Sequence, residues 1–153
     1  MPTYTDALGY NRGVAGFDAK NPFAVSKLEV VLDFAAIKAA RAAAAATPLA
    51  AADTMQVMLI PTKCQILAGG LEVISAETVN TTATFDLGFL GGTPAAANVF
   101  ADDAAANALT FASTALAAPV TIGTTADTID ILLNTAVPQN AKVRVFAIVV
   151  NLG

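Results

Sequence analysis

The chain contains no histidine and no tryptophan, and its one cysteine is Cys64. Without histidine, the commonest general base and metal ligand is missing, and no Cys–His or Ser–His pair can be assembled within one chain. A lone cysteine excludes an internal disulfide, so the sequence is no disulfide-stapled scaffold. Charge is scarce too: 13 % of the residues are charged, against a usual share of about 25 %. Eight basic residues oppose twelve acidic ones for a net charge of −4. Arg12, Lys20, Lys27, Lys38, Arg41 and Lys63 fall early, only Lys142 and Arg144 follow, and every charge between Lys63 and Lys142 is acidic. Binding to nucleic acid needs clustered Lys and Arg to neutralise phosphates, and no such cluster exists, so no nucleic-acid partner is expected.

Targeting and membrane signals are missing as well. Residues Met1 to Asp6 show neither a basic nor an apolar leader region, so no signal peptide is expected. The long weakly charged stretch beginning at Ala104 is built of Ala, Thr, Ser, Asn and Gly and is broken by Pro119 and Gly123. It fails the requirement of about 20 predominantly apolar residues for a membrane helix, and no membrane partner is expected.

What the sequence does have is small residues: 153 positions include 35 Ala, 17 Thr and 10 Gly, and 56 % of the chain is hydrophobic. A single domain of about 150 residues can bury roughly 70 % of its unfolded surface. Residues 1–24 hold Tyr4, Tyr10, Phe17 and Phe23 among glycines without a steady period. Such aromatics are costly to leave in water, so this segment reads as an extended arm packing on its own domain or on a neighbour. Residues 25–153 read as the body. Leu28, Val30 and Leu32 alternate with Lys27, Glu29, Val31 and Asp33, as in a half-buried strand. The alanine-rich run from Phe34 to Thr47 suits a helix of about three turns, capped by Asp33 and stopped by Pro48. Phe34, Ile37, Ala40 and Ala44 form its apolar face, with Lys38 and Arg41 off it.

Strands are expected over Thr54–Ile60, Lys63–Leu67, Leu71–Ser75, Thr82–Leu90, Val120–Thr124, Thr128–Asn134 and Lys142–Asn151, with a short edge strand at Asn98–Ala101. Gly69-Gly70 reads as a bulge or tight bend, and residues 102–118 stay ambiguous. The last strand becomes continuously apolar, as one covered on both faces would. Ala52-Asp-Thr-Met-Gln-Val-Met-Leu59 echoes Ala126-Asp-Thr-Ile-Asp-Ile-Leu-Leu133, which marks a shared turn-to-strand solution. About seven to nine short strands with regular turn signals predict a mainly β domain, a β-sandwich or jelly roll, with one short Ala-rich helix and an extended N-terminal arm.

The chemistry-bearing residues form no recognisable constellation. Cys64 reads as a plain strand cysteine, and Ser26, Ser75 and Ser113 lack a nucleophile elbow. Paired carboxylates for glycoside hydrolysis would need aromatic substrate walls that the composition does not supply. Asp102-Asp103 and Asp127–Asp130 lack the calcium-loop spacing, and the Gly-Gly pairs match no phosphate loop. Asn80-Thr81-Thr82 reads as a polar turn. No catalytic, cofactor-binding or metal residue is assigned, no cofactor is expected, and the chain is not expected to be an enzyme. Twenty charged residues cannot cover a domain of this size, so much of its surface is small and apolar, which favours self-association. The basic-leaning first third is expected to face an acidic partner.

Leu32-Asp-Phe-Ala-Ala-Ile-Lys-Ala-Ala-Arg-Ala-Ala-Ala44, Thr82-Ala-Thr-Phe-Asp-Leu-Gly88, Ala126-Asp-Thr-Ile-Asp-Ile-Leu-Leu-Asn134 and Lys142-Val-Arg-Val-Phe-Ala-Ile-Val-Val150 together resemble the head decoration, or cement, proteins of tailed bacteriophages. The resemblance spans roughly residues 28–152. It implies a structural virion protein, made in the host cytoplasm and carried on the outer capsid surface, that clamps neighbouring major capsid subunits. The partners it implies are further copies of the chain, in a homotrimer, and the major capsid protein. Tyr4, Tyr10, Arg12, Phe17 and Phe23 in the arm are the expected contacts with capsid or neighbour. Alternatives are another virion component (a head-fibre base, knob or tail-tube part) or a small carbohydrate-binding module. The last would need exposed aromatics, for which Phe85, Phe89, Phe100, Phe111 and Phe146 are the candidates.

Overall fold

The computed structural model describes residues 3–10, 20–89 and 96–153. Its elements run β1 (Thr3–Tyr4), β2 (Val25–Asp33), α1 (Phe34–Ala43), β3 (Thr54–Ile60), β4 (Cys64–Ser75), β5 (Thr84–Phe89), β6 (Ala96–Ala105), β7 (Phe111–Ile122), β8 (Asp127–Asn134) and β9 (Lys142–Asn151). They form two sheets, ordered β1-β3-β8-β5-β6 and β2-β9-β4-β7. All pairings among β2 to β9 are antiparallel, and β1 adds to β3 in parallel. Eight antiparallel strands divided four and four in this order make a jelly roll, so the fold is mainly β with one short helix.

Alternation builds the core. On β2, Leu28, Val30 and Leu32 point inward, and Val143, Val145, Ala147 and Val149 do so on β9. Across the sandwich they meet Met55, Ile60, Phe85, Leu87, Ile129, Ile131 and Leu133 of the other sheet in one cluster. Each such Val, Leu, Ile, Phe or Met side chain contributes about 1.5–3 kcal/mol when fully buried.

Several expectations need correction. Gly69-Gly70 is no bend but lies inside the continuous strand β4, whose register shifts at Ile66/Ala68. The pair permits close approach on both faces: a Cβ on Gly69 would meet the Phe100 ring at 2.8 Å, and one on Gly70 would meet Phe146 Cζ at 2.8 Å. The helix ends at Ala43, short of Thr47, because Ala45 takes a left-handed φ of 50°. Ala46 N–H donates to the Arg41 carbonyl and Ala45 N–H to that of Ala42, a Schellman closure made without glycine. Arg41 is on the buried face with Phe34 and Ile37, not off it. The ambiguous alanine stretch is shared between β6, an edge strand of ten residues, and β7. β9 is not covered on both faces, since Arg144, Phe146, Ile148 and Val150 are only half-buried. The two echoing segments lead into β3 and β8, which lie side by side, but their aspartates act differently: Asp53 accepts from Ala50 N–H, Asp127 from Thr128 N–H.

Candidate functional site

Because side chains alternate across a strand, the outer face of the β2-β9-β4-β7 sheet can be read row by row from its register. One row runs Val31, Arg144, Glu72, Phe111; the next runs Glu29, Phe146, Gly70, Ser113. Then come Lys27, Ile148, Ala68, Ala115, and last Val25, Val150, Gln65, Thr121. Val25 and Phe111 are each 65 % exposed, and Val31 is exposed as well.

The face is built around two aromatic rings. Phe111 and Phe146 stack with centroids 5.7 Å apart, and Lys27 Nζ lies 5.6 Å from the Phe146 centroid, within cation–π range. Four charges run beside them. Lys27 pairs with Glu29 at 2.6 Å, Arg144 lies 3.5 Å from Glu29, and Arg144 donates to Glu72 at 2.9 Å. The hydrogen bond from Lys27 holds the Glu29 carboxyl below its ordinary range, helped by the charges of Lys27 and Arg144. Arg144 Nε is buried without a hydrogen-bond partner among the described residues; Glu29 lies 3.5 Å from it, and the guanidinium charge is shared between Glu29 and Glu72. Together Lys27, Glu72, Phe111, Arg144, Phe146 and Ile148 line a shallow depression of about 230 Å³.

The described part of the arm behaves differently. Tyr4 is buried: Arg41 lies over its ring at 4.2 Å, and its hydroxyl donates to the Pro48 carbonyl. Burial, reinforced by Asp53, raises its pKa. Arg41 also donates to Asp6 at 2.6 Å and to the Thr47 carbonyl at 2.8 Å. Tyr10 is half-buried and donates to the Gln56 carbonyl at 2.9 Å. Gly9, with φ 84°, lies where a Cβ would meet Ile37 Cα at 2.5 Å. These residues are thus spent on the chain's own helix and on β3. Phe23 is different, 74 % exposed at a φ of 64°. Arg12 and Phe17 lie outside the described residues.

At the helix end of the sandwich, Glu77 is buried to 2 % exposure. Its carboxylate accepts from the backbone N–H groups of Val79, Asn80, Gln139, Asn140 and Ala141 at 2.6–3.1 Å. Burial alone would raise its pKa, but these donors outweigh it and bring the group to about 2. The residue ties the β4–β5 and β8–β9 loops together. A cavity of about 180 Å³ lies nearby, lined by Phe34, Lys38, Arg41, Pro48, Leu49 and Val137 among others.

Chemistry elsewhere is muted. Cys64 is buried, its thiol donates to the Pro61 carbonyl, and burial pushes its pKa up to about 11, which disfavours the reactive thiolate. Among the described residues no group of three or more His, Cys, Asp or Glu could hold a metal ion, and no helix is long and apolar enough to cross a membrane. Of the five phenylalanines proposed as carbohydrate platforms, Phe85, Phe89 and Phe100 are in the core, which leaves Phe111 and Phe146. The charge quartet escaped the sequence reading. Alternation placed Lys27 and Glu29 together, but only the strand register brings Glu72 and Arg144 beside them.

No protein-family model matches the sequence, and no curated protein does. In fold, the chain is similar to chains in three solved capsids. One is from the capsid of Ralstonia phage GP4, with a TM-score of 0.60 and 14 % identity over 89 % of this chain and 90 % of that one. Another is in the capsid asymmetric unit of cyanophage Pam1, with 0.53 and 19 % over 90 % and 98 %. A third is in the acid-stable capsid of Helicobacter pylori bacteriophage KHP30, with 0.51 and 16 % over 87 % and 90 %.

Proposed function

We propose that the chain is a structural, non-enzymatic protein of a tailed-phage virion, carried on the outer surface of the capsid. There it decorates the shell as a homotrimer and clamps neighbouring major capsid subunits. The observation that carries this reading is the likeness of fold over nearly the whole chain to chains of three phage capsids. The physics of the surface supports it. A jelly roll is a rigid scaffold, and a surface short of charge suits flat, close contacts with other subunits. Many copies bound side by side give avidity although each contact is weak. Under this reading the exposed Phe23 and the arm residues Arg12 and Phe17 are offered to the shell, while Tyr4 and Tyr10 hold the arm's root to the body.

The test combines solution mass with co-sedimentation on assembled shells. A trimer that pellets with shells in hundreds of copies per particle, and ignores free capsid subunits, supports decoration. Tens of copies or fewer at a vertex or tail would replace it with a fibre-base, knob or tail-tube role. Failure to bind shells at all would overturn both.

A further inference from the structure

The outer face of the β2-β9-β4-β7 sheet is self-complementary about its diagonal. Taking Val31 as the corner, Lys27 lies two steps along β2 and Glu72 lies two steps across the strands. Glu29 and Arg144 lie one step along and one step across. Val25 lies three steps along, and Phe111 three steps across. Phe146 is one step each way, on the diagonal itself. If two such faces are laid together about a two-fold axis on that diagonal, rows become columns. Lys27 of one copy then meets Glu72 of the other, and Glu29 meets Arg144. Phe111 meets Val25, the two most exposed apolar side chains of the face, and Phe146 meets its own equivalent.

We propose that this face is a two-fold interface between two copies of this chain, with the strands of the two sheets crossing near a right angle. Orthogonal packing is one of the two standard ways sheets stack. The mesh is not square, since strands lie about 4.8 Å apart and alternate residues about 6.8 Å apart. The resulting offset is about 2 Å between Glu29 and Arg144, about 4 Å between Lys27 and Glu72 and about 6 Å between Val25 and Phe111, which the long charged side chains and the Phe111 ring can span.

Charge selects a second copy over an unrelated protein. The quartet runs plus, minus, plus, minus from Lys27 through Glu29 and Arg144 to Glu72, so it sums to zero and attracts no partner by net charge. It is matched by a surface carrying the same order reversed, and the two-fold supplies one. Each charge keeps its partner within its own copy and gains one from the other, which offsets the cost of desolvation. The gridded face covers only about 300 Å² per copy, less than the roughly 800 Å² per partner of a standard interface. Association is therefore weak and dependent on concentration. This inference needs the fold alone and stands apart from the capsid reading.

The test is sedimentation velocity over a concentration series, with circular dichroism to confirm folding, on wild type, Lys27→Glu, Glu72→Lys and an equal mixture of the two variants. The wild-type particle is expected to double in mass with concentration, and each variant alone to associate at least tenfold more weakly, because like charges then face each other twice. The mixture is expected to regain wild-type association, since each copy presents the sign the other lacks. Should Glu72→Lys fail to fold, Phe111→Ser, which leaves the quartet intact, must weaken the doubling in its place. Wild-type mass that ignores concentration, variants that associate like wild type, or a mixture no better than its components would overturn the interface. A trimer that persists through all these variants while the doubling is lost would separate this contact from the threefold one.

Discussion

Glu72 and Glu77 are five residues apart, yet one serves a surface and the other holds the fold together. Glu72 is 38 % exposed and answers a single guanidinium on the open sheet face. Glu77 is 2 % exposed and holds five backbone N–H groups from two loops. Solvent competes for every partner Glu72 has, and exposed ion pairs contribute only about 0–1 kcal/mol. Little solvent competes at Glu77, and removing it would strand N–H donors that are buried at Ala141 and part-buried at the other four positions, at up to about 1–3 kcal/mol each. The number of partners and their burial, not residue type, decide what a carboxylate contributes. It follows that the quartet around Glu72 is available for association, whereas the corner around Glu77 is committed to the fold.

The sharpest way to break this contrast is Glu77→Gln, whose amide NH₂ would point at N–H donors that now find a carboxylate oxygen. A loss of about 3–5 kcal/mol is expected, read as a lower midpoint in urea unfolding; a change below 1 kcal/mol would make the two glutamates alike. Acid gives the same contrast without mutation. Because the folded pKa of Glu77, about 2, lies below its unfolded value, its stabilisation is complete above about pH 4.5 and is lost as pH falls toward 2. The loss is of the order of 3 kcal/mol. Urea midpoints measured from pH 7 to pH 2 should show this slope in wild type and lose most of it in Glu77→Gln.

Gly69→Ala comes next in size and tests the inner against the outer side of β4. A methyl there meets the Phe100 ring, and overpacking of this kind costs about 1–3 kcal/mol. It should lower the melting temperature while leaving association on the outer face unchanged. The smallest effect is expected from Glu72→Gln, which should shift stability by at most about 1 kcal/mol, less at high salt. If it proves as damaging as Gly69→Ala, the outer quartet is a fold determinant and the contrast fails.

Legibility in the sequence followed chemistry that acts locally. The bounds of β3 and β9 could be read from alternation of large apolar residues, and the cap of α1 from Asp33. β6 and β7 were obscured because alanine alternates with nothing: it is small enough for either face, and its own preference is for helix rather than strand. The helix stop was misplaced because its left-handed residue is Ala45, which carries no turn signature. Arg41 was misjudged because a cation is expected outside, and its burial is made tolerable by Asp6 and the Tyr4 ring, brought from the arm, together with the Thr47 carbonyl.

Alternation and turn residues by themselves determined that this chain is a two-layer β domain with one helix, because each strand's inward face must be apolar to be buried. Scarcity of charge determined that much of its surface is built of small and apolar residues. Only the tertiary structure decided which surface is open and what it presents. Positions 27, 29, 72, 111, 144 and 146 become neighbours through strand register, and a slip of one residue would turn each of them to the opposite face.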